Sequence, residues 1–358
     1  MNEAITKPLR IGLIGVGLIG RRHLQVLQDD PVYEVVGIVD PSDAAKELCD
    51  QQSITRYQST EALLDQAPEG VVAAIPNQLH LPIGKIHLER GIPVLMEKPL
   101  ADTVEDAAEL ARLSAMYETP MLVAHHRRHY RFMAKAKEVI DGGAIGNLLA
   151  VNGSWLGDKP RPYFEFEWRR QPGGGPVLIN AIHDIDNLRM LCGEIDSVQA
   201  MTANTARGFP VEDTATVLLR FENGALGVLI LSDAAPSNIR WECGVFENPD
   251  VAQGGKDCYS ISGTKGTLFI PSMTMQLRND GEHWHHAPVD VCLEREDNDA
   301  YVAQMQHFSD VIRGKAEPIV SAQNGLRTLV ATQAILKAAD SGQTVRIADE
   351  LAKIGAEN

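Results

Sequence analysis

Gly15, Gly17 and Gly20 follow an apolar run, Leu9–Ile14, that Arg10 and Gly12 interrupt, and Asp40 closes the next such run twenty residues after Gly20. The spacing calls for a strand, a sharp turn, a helix from about Arg21 to Leu27 and a second strand from Tyr33 to Val39, the opening of a parallel α/β sheet. Each glycine answers a different steric demand. Gly15 lets the strand turn, Gly17 lets backbone approach a pyrophosphate more closely than any β-carbon allows, and Gly20 lets the helix pack on the sheet. Leu18 and Ile19 belong to the same turn. A phosphate on that helix N-terminus meets backbone N–H groups and the positive end of the helix dipole. Asp40 can accept hydrogen bonds from both ribose hydroxyls of NAD but repels a 2′-phosphate. The next residues, Pro41-Ser42-Asp43, supply no arginine to reverse that preference, so NAD is expected rather than NADP.

A chain of 358 residues outgrows one comfortable core, and two domains are expected, 1–124 and 125–358. An apolar fraction of 44% with 23% charged residues excludes the disordered and fibrous classes. A formal charge of −15 argues against a nucleic-acid surface, which needs clustered Lys and Arg, and suits solubility instead. The first strand begins within ten residues of Met1, so no secretory signal is expected. No apolar stretch approaches membrane-spanning length. Cysteines 49, 192, 243, 258 and 292 are odd in number and lack C-x-x-C spacing, so reduced thiols in a cytoplasmic protein are expected and a zinc site is not.

Strand and helix patterns alternate through the first 120 or so residues: strands at 9–14, 33–39, 71–75, 92–96 and 120–124, helices at 20–29, 42–51, 80–90 and 103–117. This reads as βαβ units of a Rossmann sheet. Beyond His125 the pattern changes to helices at 131–141 and 177–191 and strands at 148–155, 195–206, 213–222, 225–232, 239–246, 257–262 and 267–271. Asn223-Gly224 and Gly263-Thr264-Lys265-Gly266 are turn signals between pairs of them. Helices at 298–313 and 322–340 follow. The second domain is therefore expected to be α/β with an open, mostly antiparallel sheet, one face under helices and the other available to a second subunit.

In an open parallel sheet, ligands bind beyond the carboxyl ends of the strands. Those ends carry Pro76, Asn77 and His80 after the third strand, and Glu97-Lys98-Pro99 after the fourth. Asn77 can either cap the next helix or sit with His80 near the cofactor. The charged pair Glu97-Lys98 falls at the mouth of the cofactor cleft, where Pro99 fixes its turn. A second constellation follows Gly173-Gly174-Gly175: Asn180, His183 and Asp186 or Asn187 are spaced by three or four on one helical face. Trp155, Tyr163 and Trp168 flank a loop, 157–162, expected over the site, where rings can stack on a sugar. Arg161, Arg169 or Arg170 can instead hold a carboxylate. His283-Trp284-His285-His286 lies in a polar turn without a cysteine or carboxylate at ligand spacing, and no metal is expected there.

Taken together, Gly15-x-Gly17-x-x-Gly20, Pro76-Asn77-x-x-His80, Glu97-Lys98-Pro99 and the glycine run ending in His183-x-x-Asp186 resemble the Gfo/Idh/MocA family of oxidoreductases, which includes glucose-fructose oxidoreductase and inositol dehydrogenase. The resemblance spans nearly the whole chain, and Glu-Lys-Pro after a Rossmann strand is its most specific element. It implies oxidation or reduction at a carbinol carbon of a sugar, polyol or related alcohol, with Lys98 on the reacting oxygen and His183 as acid/base. It also implies dimers or tetramers formed through the second sheet. Many members carry an aspartate four residues before that histidine. Here Ile179 stands there and Asn180 follows, so His183 is left to act with Lys98, alone or assisted by Asp184 or Asp186. The run 125–130, His-His-Arg-Arg-His-Tyr, also departs from the family's usual pattern, with His126 in its polar position and Arg128 as its arginine, on the substrate side or capping the domain junction. The alternatives are a non-catalytic NAD-binding regulator, a reductase of a cyclic or aromatic diol, and an enzyme that uses NAD transiently without net redox change.

Overall fold

The computed structural model describes residues 7–247, 250–279 and 281–356. It divides into two compact units: one runs up to His129 and takes in Ala300–Leu329, and the other comprises Tyr130–Asp299 with the chain from Val330 onward.

The first unit begins with β1 (Leu9–Ile14), α1 (Leu18–Asp29), β2 (Tyr33–Val39), α2 (Asp43–Gln52), β3 (Arg56–Tyr57), α3 (Thr60–Leu64) and β4 (Gly70–Ala73). It continues with α4 (His80–Leu88), β5 (Val94–Met96), α5 (Val104–Met116) and β6 (Met121–Val123). The six strands are parallel in the order β3-β2-β1-β4-β5-β6, the dinucleotide-binding arrangement whose order reverses between β1 and β4. Every residue of β4, β5 and β6 is buried, as a sheet covered on both faces requires. Side-chain oxygens of Ser42, Ser59 and Thr103 accept from backbone N–H groups at the starts of α2, α3 and α5, so polar residues mark where those helices begin.

The second unit holds α6 (Arg131–Asp141), β7 (Leu148–Leu156), a π-helical turn (Val177–Ala181) that runs into α7 (Ile182–Cys192), β8 (Ile195–Ala203), β9 (Thr214–Phe221) and β10 (Leu226–Ser232). Next come α8 (Trp241–Val245), β11 (Tyr259–Gly263), β12 (Gly266–Ile270), β13 (Thr274–Leu277) and β14 (Val289–Cys292). In the chain, α9 (Ala300–Ile312), which belongs to the first unit, and α10 (Ala322–Ser341), of which the first unit takes the residues up to Leu329, precede β15 (Val345–Arg346) and α11 (Ile347–Lys353) of the second. The nine-stranded sheet has the order β14-β13-β12-β11-β7-β10-β9-β8-β15. Its neighbours are antiparallel except β7 and β10. Gly224, at φ +89°, makes the turn between β9 and β10 where Asn223-Gly224 predicts one. Val217, Leu219, Leu229 and Leu231 are buried under one face of this sheet, while Met201, Leu218 and Ile230 on the other are 78%, 52% and 38% exposed.

Three expectations are corrected. Residues 239–246 are not a strand: α8 forms there, and the alternation of buried Trp241, Cys243 and Val245 imitates a period of two. The boundary falls after His129 rather than after residue 124. Most consequentially, 300–329 returns to the first unit: Met305, Phe308 and Val311 of α9 join the core built on Leu9, Ile11, Leu13, Val72, Leu95 and Leu122.

Candidate active site

β1 passes into α1 through a turn in which two glycines are required by neighbouring backbone. Gly15 has φ +85°, and a β-carbon there would lie 2.1 Å from the Ala74 carbonyl oxygen. A β-carbon on Gly20 would lie 2.1 Å from the Gly15 carbonyl oxygen. Gly17 is different, because its β-carbon would have no neighbour within 4 Å. Leu18 beside it is 85% exposed and Ile19 37%. α1 starts with no side-chain cap and no acid in its first turn, so its N-terminal end is open to an anion. The space over Gly17 and that helix end fit a pyrophosphate.

Asp40 follows β2. Its Oδ2 accepts from the Val16 amide at 2.9 Å, and Oδ1 accepts from the Ser42 amide at 2.9 Å and the Ser42 hydroxyl at 2.6 Å. Burial pushes its carboxyl up, but the hydrogen bonds from Ser42 and Val16 outweigh burial and hold it below the usual carboxylate range. Arg56 Nη1 donates to the carbonyl oxygens of Asp40 and Ser42, both at 3.2 Å. No reading of the residues after Asp40 finds this arginine, because β3 brings it there by pairing with β2.

After β4, a 3₁₀ turn (Asn77–Leu79) leads into α4, and neither start carries a side-chain cap, so Asn77 does not have the capping role open to it from sequence. Pro76 and Asn77 stand at the strand exit. His80 is fully buried; its Nδ1 lies 3.0 Å from the Pro99 oxygen and 3.2 Å from the Leu100 oxygen, and its Nε2 lies 3.0 Å from the Ile75 oxygen. Burial lowers its pKa against the pull of those carbonyls. The ring ties the exits of β4 and β5 together.

Glu97 follows β5 and is anchored on both sides. Its Oε1 lies 2.9 Å from His23 Nε2 on α1, and its Oε2 accepts from the Lys98 amide at 3.2 Å. Burial pushes the Glu97 carboxyl up; the His23 hydrogen bond and the charges of His23, Lys98 and His126 outweigh it and hold the group low. The Lys98–Pro99 peptide is cis. Farther along, His126 stacks on Tyr301 at 4.5 Å, Arg127 is buried, and Arg128 is half-buried in the 3₁₀ turn His126–His129.

In the second unit His183 sits in the first turn of α7 and is 7% exposed. The π turn just before it makes the step from Asn180 to His183 different from the plain helical face that spacing predicts. Glu212 sets where this turn begins: its Oε1 accepts from the Val177 amide at 3.0 Å, and a β-carbon on Gly175 would lie 2.2 Å from that same oxygen. Burial raises the Glu212 pKa. Asp184 is fully buried and accepts from the Tyr259 hydroxyl, which Asn187 Nδ2 also approaches at 3.1 Å. That contact engages Asp184 with β11, and Asp186 is 1% exposed.

Asn180 Oδ1 accepts from Lys159 Nζ at 2.8 Å, and Lys159 lies 3.5 Å from Asp233. The sequence shows Lys159 only as part of a loop; its partners come from α7's approach and from the end of β10. Lys159 Nζ is 4.6 Å from the Tyr163 ring centroid, and the Arg169 guanidinium carbon is 3.9 Å from the same ring. Trp168 is 53% exposed beside Arg169, whereas Trp155 is 4% exposed and donates to Glu242 at 3.0 Å, a core position rather than the stacking surface expected of it. Among the described residues there is no group of three or more His, Cys, Asp or Glu side chains placed to hold a metal ion, and no helix long and apolar enough to cross a membrane.

Comparison with known proteins agrees with this layout. Residues 9–125 match the model of an oxidoreductase family with an NAD-binding Rossmann fold, and residues 133–269 match the GFO/IDH/MocA C-terminal domain. The levoglucosan dehydrogenase of Pseudarthrobacter phenanthrenivorans is 29% identical, over 73% of this chain and 73% of its own. The myo-inositol 2-dehydrogenase of Thermotoga maritima is 24% identical, over 95% of this chain and 98% of its own. An oxidoreductase from Agrobacterium radiobacter, solved in complex with NAD+, L-tartaric acid and magnesium, shares the fold with a TM-score of 0.79 at 21% identity, over 95% of this chain and 99% of that one. With both halves matched in order, the chain belongs to the GFO/IDH/MocA family of oxidoreductases.

Proposed function

We propose that the chain is an NAD-dependent dehydrogenase moving hydride between nicotinamide and a carbinol carbon of a sugar, polyol or hydroxy acid. One observation supports this most: the carboxyl ends of β1, β2, β4 and β5 in a single sheet carry the glycine turn, Asp40, Asn77 and Glu97-Lys98, around the point where strand order reverses. The names of the levoglucosan and myo-inositol dehydrogenases support the substrate class. In this reading Gly15, Gly17, Leu18, Ile19 and Gly20 hold the pyrophosphate, Asp40 the ribose hydroxyls, and Pro76 and Asn77 the nicotinamide side. NAD is preferred to NADP because Arg56 is engaged by two carbonyls and Asp40 keeps its charge.

When bound, the cofactor supplies the hydride acceptor or donor. Lys98 donates to the reacting oxygen and stabilises the negative charge it develops, and His183 takes up or returns the hydroxyl proton. Tyr163, Trp168, Arg169 and Arg128 are assigned to the substrate in this reading. The exposed apolar face around Leu218 and Ile230 seats a second copy of the chain, and the five free thiols suit a reducing, cytoplasmic setting.

The test mixes purified protein with NAD, and separately NADP, against aldoses, inositols, other polyols and uronates, and follows reduced nicotinamide by absorbance. A rise with NAD and one substrate group is expected. Tight NAD binding with a flat trace on every substrate would overturn the dehydrogenase reading in favour of a regulator or of transient redox.

A further inference from the structure

We infer that Lys159 and Asn180 form a subsite of hydrogen-bond donors, three residues before His183, that takes a carboxylate of the substrate. The inference rests on the function proposed above and narrows its substrate class to sugar acids and hydroxy acids.

Lysine nitrogen can only donate, so the contact at 2.8 Å fixes the amide of Asn180 with its oxygen toward Lys159. That leaves Nδ2 as the outward group of Asn180. Among the described residues nothing accepts from Nδ2, and it is not one of the buried polar atoms that lack a partner. Its two N–H bonds are available to a ligand already in place. An amide turned this way gives hydrogens and takes none, which favours an oxygen with lone pairs and no proton of its own.

Lys159 brings an ammonium to the same place. Its side chain is 11% exposed and is held by Asn180, by the Tyr163 ring and by Asp233, which is 2% exposed. Asp233 is shared, since Arg207 Nε lies 3.2 Å from its other oxygen. One buried carboxylate thus serves two cations. Two further acids stand nearby: Asp158 faces Arg207 at 3.7 Å and is 60% exposed, and Asp213 accepts from the Ala206 and Arg207 amides and the Thr214 hydroxyl. Glu212 caps the π turn, and its burial favours the neutral form. Arg169 adds a further cation against the Tyr163 ring. A carboxylate brought here meets the Lys159 ammonium beside the two oriented N–H groups of Asn180.

The test measures binding by calorimetry with NADH present, so that no turnover intervenes. The probes are two matched pairs, D-glucuronate with D-glucose and D-gluconate with D-glucitol. The wild-type protein is expected to bind the acid of at least one pair about 10-fold or more tightly than its neutral partner, the range for a hydrogen bond to a charged group. The isosteric Asn180→Asp replaces the donor with an acceptor and a negative charge, and it should abolish or reverse that preference while NADH affinity is unchanged. Lys159→Met, which frees the amide to rotate, should move the preference in the same direction. A neutral partner bound as well as its acid, no binding of either acid at millimolar concentration, or an unchanged ratio in Asn180→Asp would overturn the subsite. An acid preference in binding with no NADH formed from NAD in the turnover assay would instead keep the subsite and overturn the dehydrogenase.

Discussion

Gly17 and Gly15 share a residue type and differ in what a side chain would strike. At Gly15 an added β-carbon meets the Ala74 carbonyl in a backbone with φ +85°, so Gly15→Ala should destabilise the fold by about 1–3 kcal/mol and lower the melting temperature. At Gly17 φ is −63° and no neighbour lies within 4 Å, so Gly17→Ala should melt within about 0.5 kcal/mol of wild type. Its NAD affinity should nevertheless fall by about 10-fold or more, read by fluorescence titration, because the methyl group enters the space meant for phosphate. Lys98 gives a third outcome. Lys98→Met should lower kcat by about 10²–10³-fold, the cost of removing one donor to a developing oxyanion, with NAD binding intact. Residue types and spacing made these positions legible. The same reading failed at Lys159, Arg56 and His23, whose partners Asn180, Asp40 and Glu97 lie 21, 16 and 74 residues away along the chain. Nothing local marks such pairs.

Among the elements, β1, α1 and β2 were readable because a buried parallel strand and an amphipathic helix impose different periods on neighbouring stretches. α8 was not, since five residues are too few to tell a period of 3.6 from one of two. The π turn at Val177–Ala181 was equally hidden: it depends on Glu212 capping the Val177 amide, a contact made 35 residues away. The tie between α1 and the exit of β5 yields a pH prediction. The Glu97 pKa is lowered in the folded protein, so its contribution to stability is complete above the ordinary value of 4.5 and is lost as pH falls through the folded value. Urea unfolding should therefore show wild type losing more stability than Glu97→Gln between pH 6 and the acid limit, with the two curves parallel above neutrality. Equal acid slopes would mean that His23 and Glu97 do not support each other in the folded protein.

For the molecule as a whole, the two-unit plan follows from the change in strand pattern near His125, but the allegiance of α9 does not, because an amphipathic helix does not announce the sheet on which it packs. Met305, Phe308 and Val311 are 1%, 0% and 4% exposed in the first unit's core. At about 1.5–3 kcal/mol for each buried side chain, their loss is comparable with the whole stability of a domain. A fragment ending at His129 should thus show no cooperative melt, and joining 300–329 to it through a flexible linker should restore one; a sharp transition in the shorter fragment would refute this. The thiols supply a second global check. Burial pushes Cys192 up to about 12 and raises Cys49 and Cys243, and Cys258 is buried, whereas Cys292 on β14 is exposed. One thiol should therefore react quickly with Ellman's reagent in the native protein, and all five in denaturant.

The return of α9 also sets a timetable for biosynthesis. All six strands of the parallel sheet have been made once Val123 is in the chain, yet the helix that completes the core over Ile11, Leu13 and Leu122 begins at Ala300. At roughly 5–20 residues per second on a ribosome, that apolar floor waits on the order of ten to thirty seconds for its cover. The nucleotide-binding unit is thus first to be translated and late to be sealed, and a nascent-chain chaperone would meet it in that interval.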